Sequence, residues 1–352
     1  MNRAGMSCPF VAGPKIKELN RFAGRREELK FLADRMSGSQ PVSVNVVGER
    51  RIGKSSLLYH FWQTWAQRVA ASARFAVFYT DLQQDDPASE DAFFQLLAKL
   101  LLTRSTLCQD SQVQAALSAT PFTRQDFAAA LEHLAGRSLL PVFCLDEFEM
   151  LLKRPEQFGD PFFDHLRGLM NANRLMFIFA SREPVDVYAK EQKLTSGFFN
   201  LGQLLPLDKF SEAEADELVN LPDRNNPALN AKEQRLARKW GGRHPYLLQL
   251  AGQCLFEARQ AGKDAAWAKR QFTAQRERLK KDGVLTKPRS FKALLESSLS
   301  ALKQTAEAAE HCGKILLFLI LAALLAGIIY GVWTGKLTWS AAGDWLLKLI
   351  GK

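Results

Sequence analysis

Gly48-Glu49-Arg50-Arg51-Ile52-Gly53-Lys54-Ser55 is the stretch that decides the fold. It fits G-x-x-x-x-G-K-[ST], the turn whose backbone N–H groups close around phosphate oxygens. The sequence on either side agrees. Residues 41–47 are apolar and β-branched and predict a buried strand that Gly48 ends. Residues 55–71 predict a helix, whose positive dipole end would point at the phosphates. Lys54 is placed to reach the β- and γ-phosphates, and the Ser55 hydroxyl to hold Mg²⁺. Glu49, Arg50, Arg51, Ile52 and Ser56 complete the turn. The plainer alternative is a glycine turn with no ligand.

Further strands are predicted over residues 74–82, 139–145, 175–180 and 203–207. Helices are predicted over 89–104, 123–136 and 160–171, with Thr123 and Asp126 three positions apart as a capping pair. Apolar strands alternating with helices imply a parallel sheet covered on both faces. After Asp208 the pattern is helical only, with Ser211 capping 212–220 and helices continuing to about 309. The fold class is α/β: a P-loop NTPase with a parallel sheet sandwiched by helices, then a helical lid, then a C-terminal transmembrane helix. The predicted boundaries are 1–20 for an N-terminal extension, 21–208 for the nucleotide core and 209–285 for the lid. A basic connector (286–314), the membrane helix (315–333) and an amphipathic tail (334–352) follow.

A magnesium site needs an acidic partner. Pro141-Val142-Phe143-Cys144-Leu145-Asp146-Glu147 supplies it, as an apolar strand ending in two carboxylates. Asp146 would bind Mg²⁺ and Glu147 would polarise the attacking water as a general base; the alternative is an acidic pair capping the next helix. The strand over 175–180 exits through Ser181 and Arg182. If it neighbours the strand before Gly48, both face the γ-phosphate and Arg182 senses it.

The chain has 352 residues, five scattered cysteines and no CxxC pair, which points to a reducing compartment and no zinc. Residues 1–19 carry no apolar signal core, so the start is not read as a secretory leader. The net charge of +10 is concentrated in residues 231–303, with 17 Lys/Arg against 6 Asp/Glu. Three readings of that block stay open: a solvated helical face, attraction to anionic lipid, and nucleic-acid binding, the last not favoured.

Residues 315–333 run for 19 positions without a charge. A helix of that length spans roughly 28 Å, close to a hydrocarbon core of about 30 Å. Lys314 flanks one end, and Tyr330 and Trp333 suit the headgroup layer at the other. Ala323, Gly327 and Gly331 form a small-residue face for helix packing. Residues 338–350 place Trp339, Trp345 and Leu349 on one face of an interfacial helix. Because the ATP site must meet ATP, residues 1–314 are assigned to the cytoplasm, giving a single-pass protein of the cell membrane.

Taken together, the motifs resemble the STAND-type P-loop ATPases, near the archaeal-ATPase-like and origin-recognition-like AAA families. Phe22-Ala23-Gly24-Arg25-Arg26-Glu27-Glu28-Leu29 is similar to the family's F-x-G-R-E-x-E-L element, with Arg26 in place of the usual acid. Gly241-Gly242-Arg243-His244-Pro245 looks like the lid motif G-G-x-P. The resemblance implies ATP rather than GTP, adenine contacts from Phe22, Gly24, Arg25 and Pro245, and hydrolysis to ADP and phosphate. It also implies assembly into a homo-oligomer or with a partner protein. Three functions follow as expectations. The first is a nucleotide-dependent signalling or defence switch at the lipid bilayer. The second is a remodelling or transport accessory whose active arginine comes from a neighbouring subunit, with Arg167 and Arg174 as candidates. The third is an origin-recognition-like nucleic-acid-binding ATPase.

Overall fold

Alternation of side chains along the strands sorts the core into two layers. In the computed structural model, which describes residues 7–284 except 105, 106, 108, 109, 201 and 224, five parallel strands form one sheet. They are β1 (Val44–Val47), β2 (Phe75–Asp81), β3 (Leu140–Asp146), β4 (Met176–Ser181) and β5 (Gln203–Pro206), in the order β2-β3-β4-β1-β5. β1 is therefore central, paired with β4 on one side and β5 on the other.

Because successive residues of a strand face opposite ways, Val77, Val142, Cys144, Ile178 and Ala180 lie on one face with Val44 and Val46. That face is covered by α1 (Arg26–Ser37) and by α2 (Lys54–Thr64), the helix that opens at the phosphate turn. The intervening residues Phe78, Phe143, Phe177 and Phe179 lie on the other face, under α3 (Glu90–Leu102), α4 (Arg124–Gly136) and α5 (Asp160–Asn171). The Phe78, Phe143 and Phe177 rings follow one another across β2, β3 and β4 at centroid separations of 5.5 and 6.2 Å.

The expected parallel sheet is present, with shifts at its edges. β1 begins at Val44 rather than at position 41. Pro41 has no N–H to give a ladder, and the Val42 N–H turns back to the Arg35 carbonyl at the end of α1, 3.1 Å. α2 stops at Thr64 rather than running to 71, where the Thr64 hydroxyl donates to the His60 carbonyl and competes with the helix pattern. At the start of α4, Asp126 accepts from both the N–H and the hydroxyl of Thr123, 2.9 and 2.7 Å.

The helical region expected to form the lid follows β5 as α6 (Glu212–Val219), α7 (Ala231–Gly241), α8 (Pro245–Gln260) and α9 (Ala265–Lys281). Its core gathers Phe210, Leu218, Leu248, Leu255 and Phe272, joined by Phe10 from the N-terminal segment. The connector, the membrane helix over 315–333 and the tail lie outside the described residues, as do the helices expected beyond 284. Among the described residues no helix is long and apolar enough to cross a membrane.

Candidate functional site

The phosphate turn leaves β1 with two left-handed residues, Arg51 at φ 66° and Gly53 at φ 105°. Gly48 sits where a Cβ would meet the Leu207 carbonyl at 3.0 Å, so only glycine lets the chain leave β1 beside β5. α2 starts at Lys54, and the Leu57 N–H closes its first turn on the Gly53 carbonyl, 2.9 Å. The N–H groups just before Leu57 are those an α-helix leaves for a ligand. Lys54 is buried, and its Nζ donates to the carbonyls of Gly48 at 2.7 Å and Glu49 at 3.3 Å. Burial pulls its pKa below the usual lysine value, and the charges of Glu149, Glu147 and Asp146 oppose that pull.

The acidic strand end stands against this turn. Asp146 is 1% exposed, and the Ser55 side chain beside it acts to lower its pKa. The Tyr79 hydroxyl donates to Asp146 Oδ2, 3.0 Å, and Lys15 Nζ donates to the Tyr79 oxygen, 2.8 Å. Burial holds the Asp146 carboxyl above its ordinary pKa. Glu147 lines the cavity at φ 54°, a backbone state rare for glutamate. Burial and the neighbouring Glu149 raise its pKa, with Lys54 acting against them.

Glu149 was not foreseen. It is 4% exposed, its Oε2 has no protein partner among the described residues, and it is the foremost attractive charge on Lys54. An acid two positions past an acidic pair reads in sequence as a helix start, which it also is.

β4 does neighbour β1, with Ser181 opposite Val47. The Ser181 side chain nevertheless does not face a phosphate. It is fully buried, accepts from Asn45 Nδ2 at 2.8 Å and donates to the Glu183 carbonyl at 2.6 Å. It shares the face of Phe177 and Phe179, and period-two alternation assigns it there. Arg182 lies close enough to lower the proton affinity of Lys54, although it is not among the residues that line the cavity. The two arginines weighed as contributions to a neighbouring subunit are ion-paired within the chain, Arg167 with Asp164 and Arg174 with Glu132.

A cavity of about 420 Å³ runs from residues 50–56 of the turn to the lid, past Phe22, Phe210, Pro245 and Tyr246. Phe22 lines it while stacking on the His60 ring at 3.9 Å. Arg25 is buried and spends its guanidinium on the Ile52 and Asp208 carbonyls, 3.1 and 2.7 Å, and on Glu28. Its backbone N–H donates to Glu214 of α6, 2.6 Å, and Arg26 ion-pairs with Glu217 of the same helix. The arginine in the acid's place thus grips the lid. Gly24 makes room for Glu214, whose side chain a Cβ there would meet at 2.9 Å, and does not line the cavity. Glu49 does not line the cavity but turns to the buried His244 of the lid motif, with Nε2 at 3.4 Å.

The N-terminal segment, read only as an extension, forms the remaining wall. Val11, Gly13, Pro14, Lys15 and Ile16 line the cavity. The Ile16 N–H donates to the Ser56 hydroxyl, 3.0 Å, and Arg51 donates to the Gly13 carbonyl. Ser56 and Arg51 therefore hold this strap. Its Gly13-Pro14 turn marks a bend, but no pattern in the sequence says what the bend lies against.

A family model described as Novel STAND NTPase 2 matches residues 38–296. The fold is similar to the Walker-type ATPase PABY2304 of Pyrococcus abyssi, at 16% identity and TM-score 0.55, covering 97% of this chain and 93% of that one. It is similar also to the Aeropyrum pernix ORC2 protein in its ADPNP–ADP complexes, at 16% identity and TM-score 0.52, covering 75% and 69%. No curated protein matches.

Proposed function

The chain belongs to the novel STAND NTPase 2 family, and from that premise we propose that it is an ATP-binding and ATP-hydrolysing switch held at a membrane. The observation that carries the proposal is the juxtaposition of Ser55 of the phosphate turn with Asp146 of the acidic strand, beside the buried Lys54. The residues fit a magnesium–triphosphate: the turn is kept open by Gly48, and a hydroxyl with a carboxylate is the hard oxygen donor set that Mg²⁺ takes. Ser55 and Asp146 would hold that ion, which supplies positive charge to the phosphate oxygens. Lys54 exchanges the Gly48 and Glu49 carbonyls for the β- and γ-phosphates. Glu147 accepts the proton of the attacking water, and its raised pKa makes it a stronger base than an exposed glutamate. Arg182, beside Lys54, senses the γ-phosphate.

The lid transmits the nucleotide state, since Arg25 touches the turn, the exit of β5 and α6 at once. Residues 315–333 anchor the chain with residues 1–314 in the cytoplasm, and exposed Arg270, Arg278, Lys280 and Lys281 on α9 attract anionic headgroups. Assembly of ATP-bound copies would cluster the anchors.

Calorimetry and light scattering on the detergent-solubilised full chain test this reading. Lys54→Ala is expected to weaken Mg·ATP binding on the order of 100-fold, the loss of charge-assisted hydrogen bonds. Glu147→Gln should keep binding and lose turnover. Unchanged affinity in the Lys54 variant sinks the site assignment, and a wild-type chain recovered away from membranes without detergent sinks the anchor.

A further inference from the structure

We infer that Gln249 reads the base of the nucleotide, donating a side-chain amide N–H to a ring nitrogen of adenine. The inference deepens the nucleotide reading above and rests on it. Gln249 lies one turn after Pro245 on α8, on the same side of the helix, and lines the cavity. It is 3% exposed, an unusual place for a carboxamide without a full set of partners.

Its orientation is fixed by chemistry. The Val11 backbone N–H approaches the side-chain oxygen at 2.9 Å. A backbone N–H can only donate, so the atom facing it must be Oε1, and the NH₂ is turned the other way. That Nε2 is buried and has no protein acceptor among the described residues. A buried donor without an acceptor is unfavourable, whereas the same donor facing a ligand acceptor is a specificity contact.

The rest of the cavity suits a purine ring, which the ATP reading makes adenine. One end is the phosphate turn, and the walls toward the lid are Phe22, Phe210, Leu218 and Tyr246. Apolar and aromatic walls suit the faces of a flat heteroaromatic ring. Adenine presents N1, N3 and N7 at its edge as acceptors without protons. The strap sets the distance between the two ends, because it is tied to Gln249 through Val11, to the turn through Gly13 and to α2 through Ile16. Base reading is thereby coupled to the phosphate cradle through residues 11–16.

The test is calorimetry on the detergent-solubilised full chain with ATP, inorganic tripolyphosphate and the 1-deaza, 3-deaza and 7-deaza analogues of ATP. One deaza analogue is expected to bind the wild type about tenfold more weakly than ATP, the scale of one hydrogen bond. Gln249→Met should bind ATP and that analogue with the same reduced affinity, and tripolyphosphate as the wild type does. Equal binding of all three deaza analogues and ATP by the wild type overturns the inference without any variant. So does a Gln249→Met chain that loses tripolyphosphate affinity as much as ATP affinity, because the residue would then act through the cradle. A wild-type chain that binds neither ATP nor tripolyphosphate takes down the nucleotide reading and this inference together.

Discussion

The two faces of the sheet are built from different side chains for different ends. Under α3, α4 and α5 the strands present Phe78, Phe143, Phe177 and Phe179, which meet further rings from the helices, Phe93, Phe94, Phe127 and Phe162 among them. Under α1 and α2 they present Val44, Val46, Val142, Cys144, Ile178 and Ala180. Large rings supply area, and burial of apolar area is the dominant favourable term in folding. Small branched residues seat α2 across β2, β3 and β4 with its first turn beside the strand tips that carry Asp146 and Arg182. The aromatic face thus carries stability, and the aliphatic face carries the site.

The largest expected effect falls on the aromatic face. Phe143 packs between Phe78 and Phe177 and also meets Phe127 at 6.4 Å. Phe143→Ala should cost about 3–5 kcal/mol of unfolding free energy with ATP affinity unchanged, read by denaturant titration and calorimetry. Altered affinity would break the division of labour between the faces. Next comes the site side, through Arg25. Removing its guanidinium leaves the Ile52 and Asp208 carbonyls without that partner. Arg25→Ala should cost about 2–3 kcal/mol, and here affinity should fall with stability, because this side chain holds the turn through Ile52 and stacks on Phe210 of the lid core at 4.8 Å. Arg25→Lys should not restore either, since an ammonium lacks the planar fork that gives Nη2 to the two carbonyls and Nη1 to Glu28 at once. Loss of stability alone would make Arg25 a core residue of the lid and nothing more.

Legibility in the sequence followed the same division. The aliphatic face was readable because its motif is contiguous: eight residues from Gly48 to Ser55 place a strand, a turn and a helix in order. The parallel sheet followed from apolar runs at helix-separated intervals, and Asp146 from its position at a strand end. What escaped were contacts made across long sequence separations by residues of ordinary type. Val11 meets Gln249 at a separation of 238 positions, and neither position carries a local pattern. Ser181 was misread because its neighbourhood, a polar exit after an apolar strand, says nothing about which face a given side chain takes. Counting from Phe177 and Phe179 by twos would have placed it with the rings. Gly24 and Arg25 were legible as a motif, and their work as a clamp on Glu214 was not, because the partner lies in another domain's capping box.

The smallest effect tests the boundary of the aliphatic layer, where one titratable ring replaces an aliphatic side chain. His60 on α2 is 9% exposed, stacks on Phe22, and has Arg68 Nη2 at 3.5 Å from its Nε2. Burial, then the Arg68 charge, lower its pKa to about 4, against 6.5 in an unfolded chain. Between those values the unfolded state takes up a proton that the folded state refuses, so stability falls as the pH drops below about 6.5 and the loss is complete near the folded pKa. His60→Phe keeps the stack with Phe22 and removes the proton. The difference in thermal midpoint between variant and wild type should therefore grow in the variant's favour from pH 7 to pH 5. His165, whose pKa is also lowered by burial, contributes equally to both chains and drops out of the difference. Parallel midpoint curves would mean that His60 takes its proton in the folded state, and that this edge of the aliphatic face is open to water.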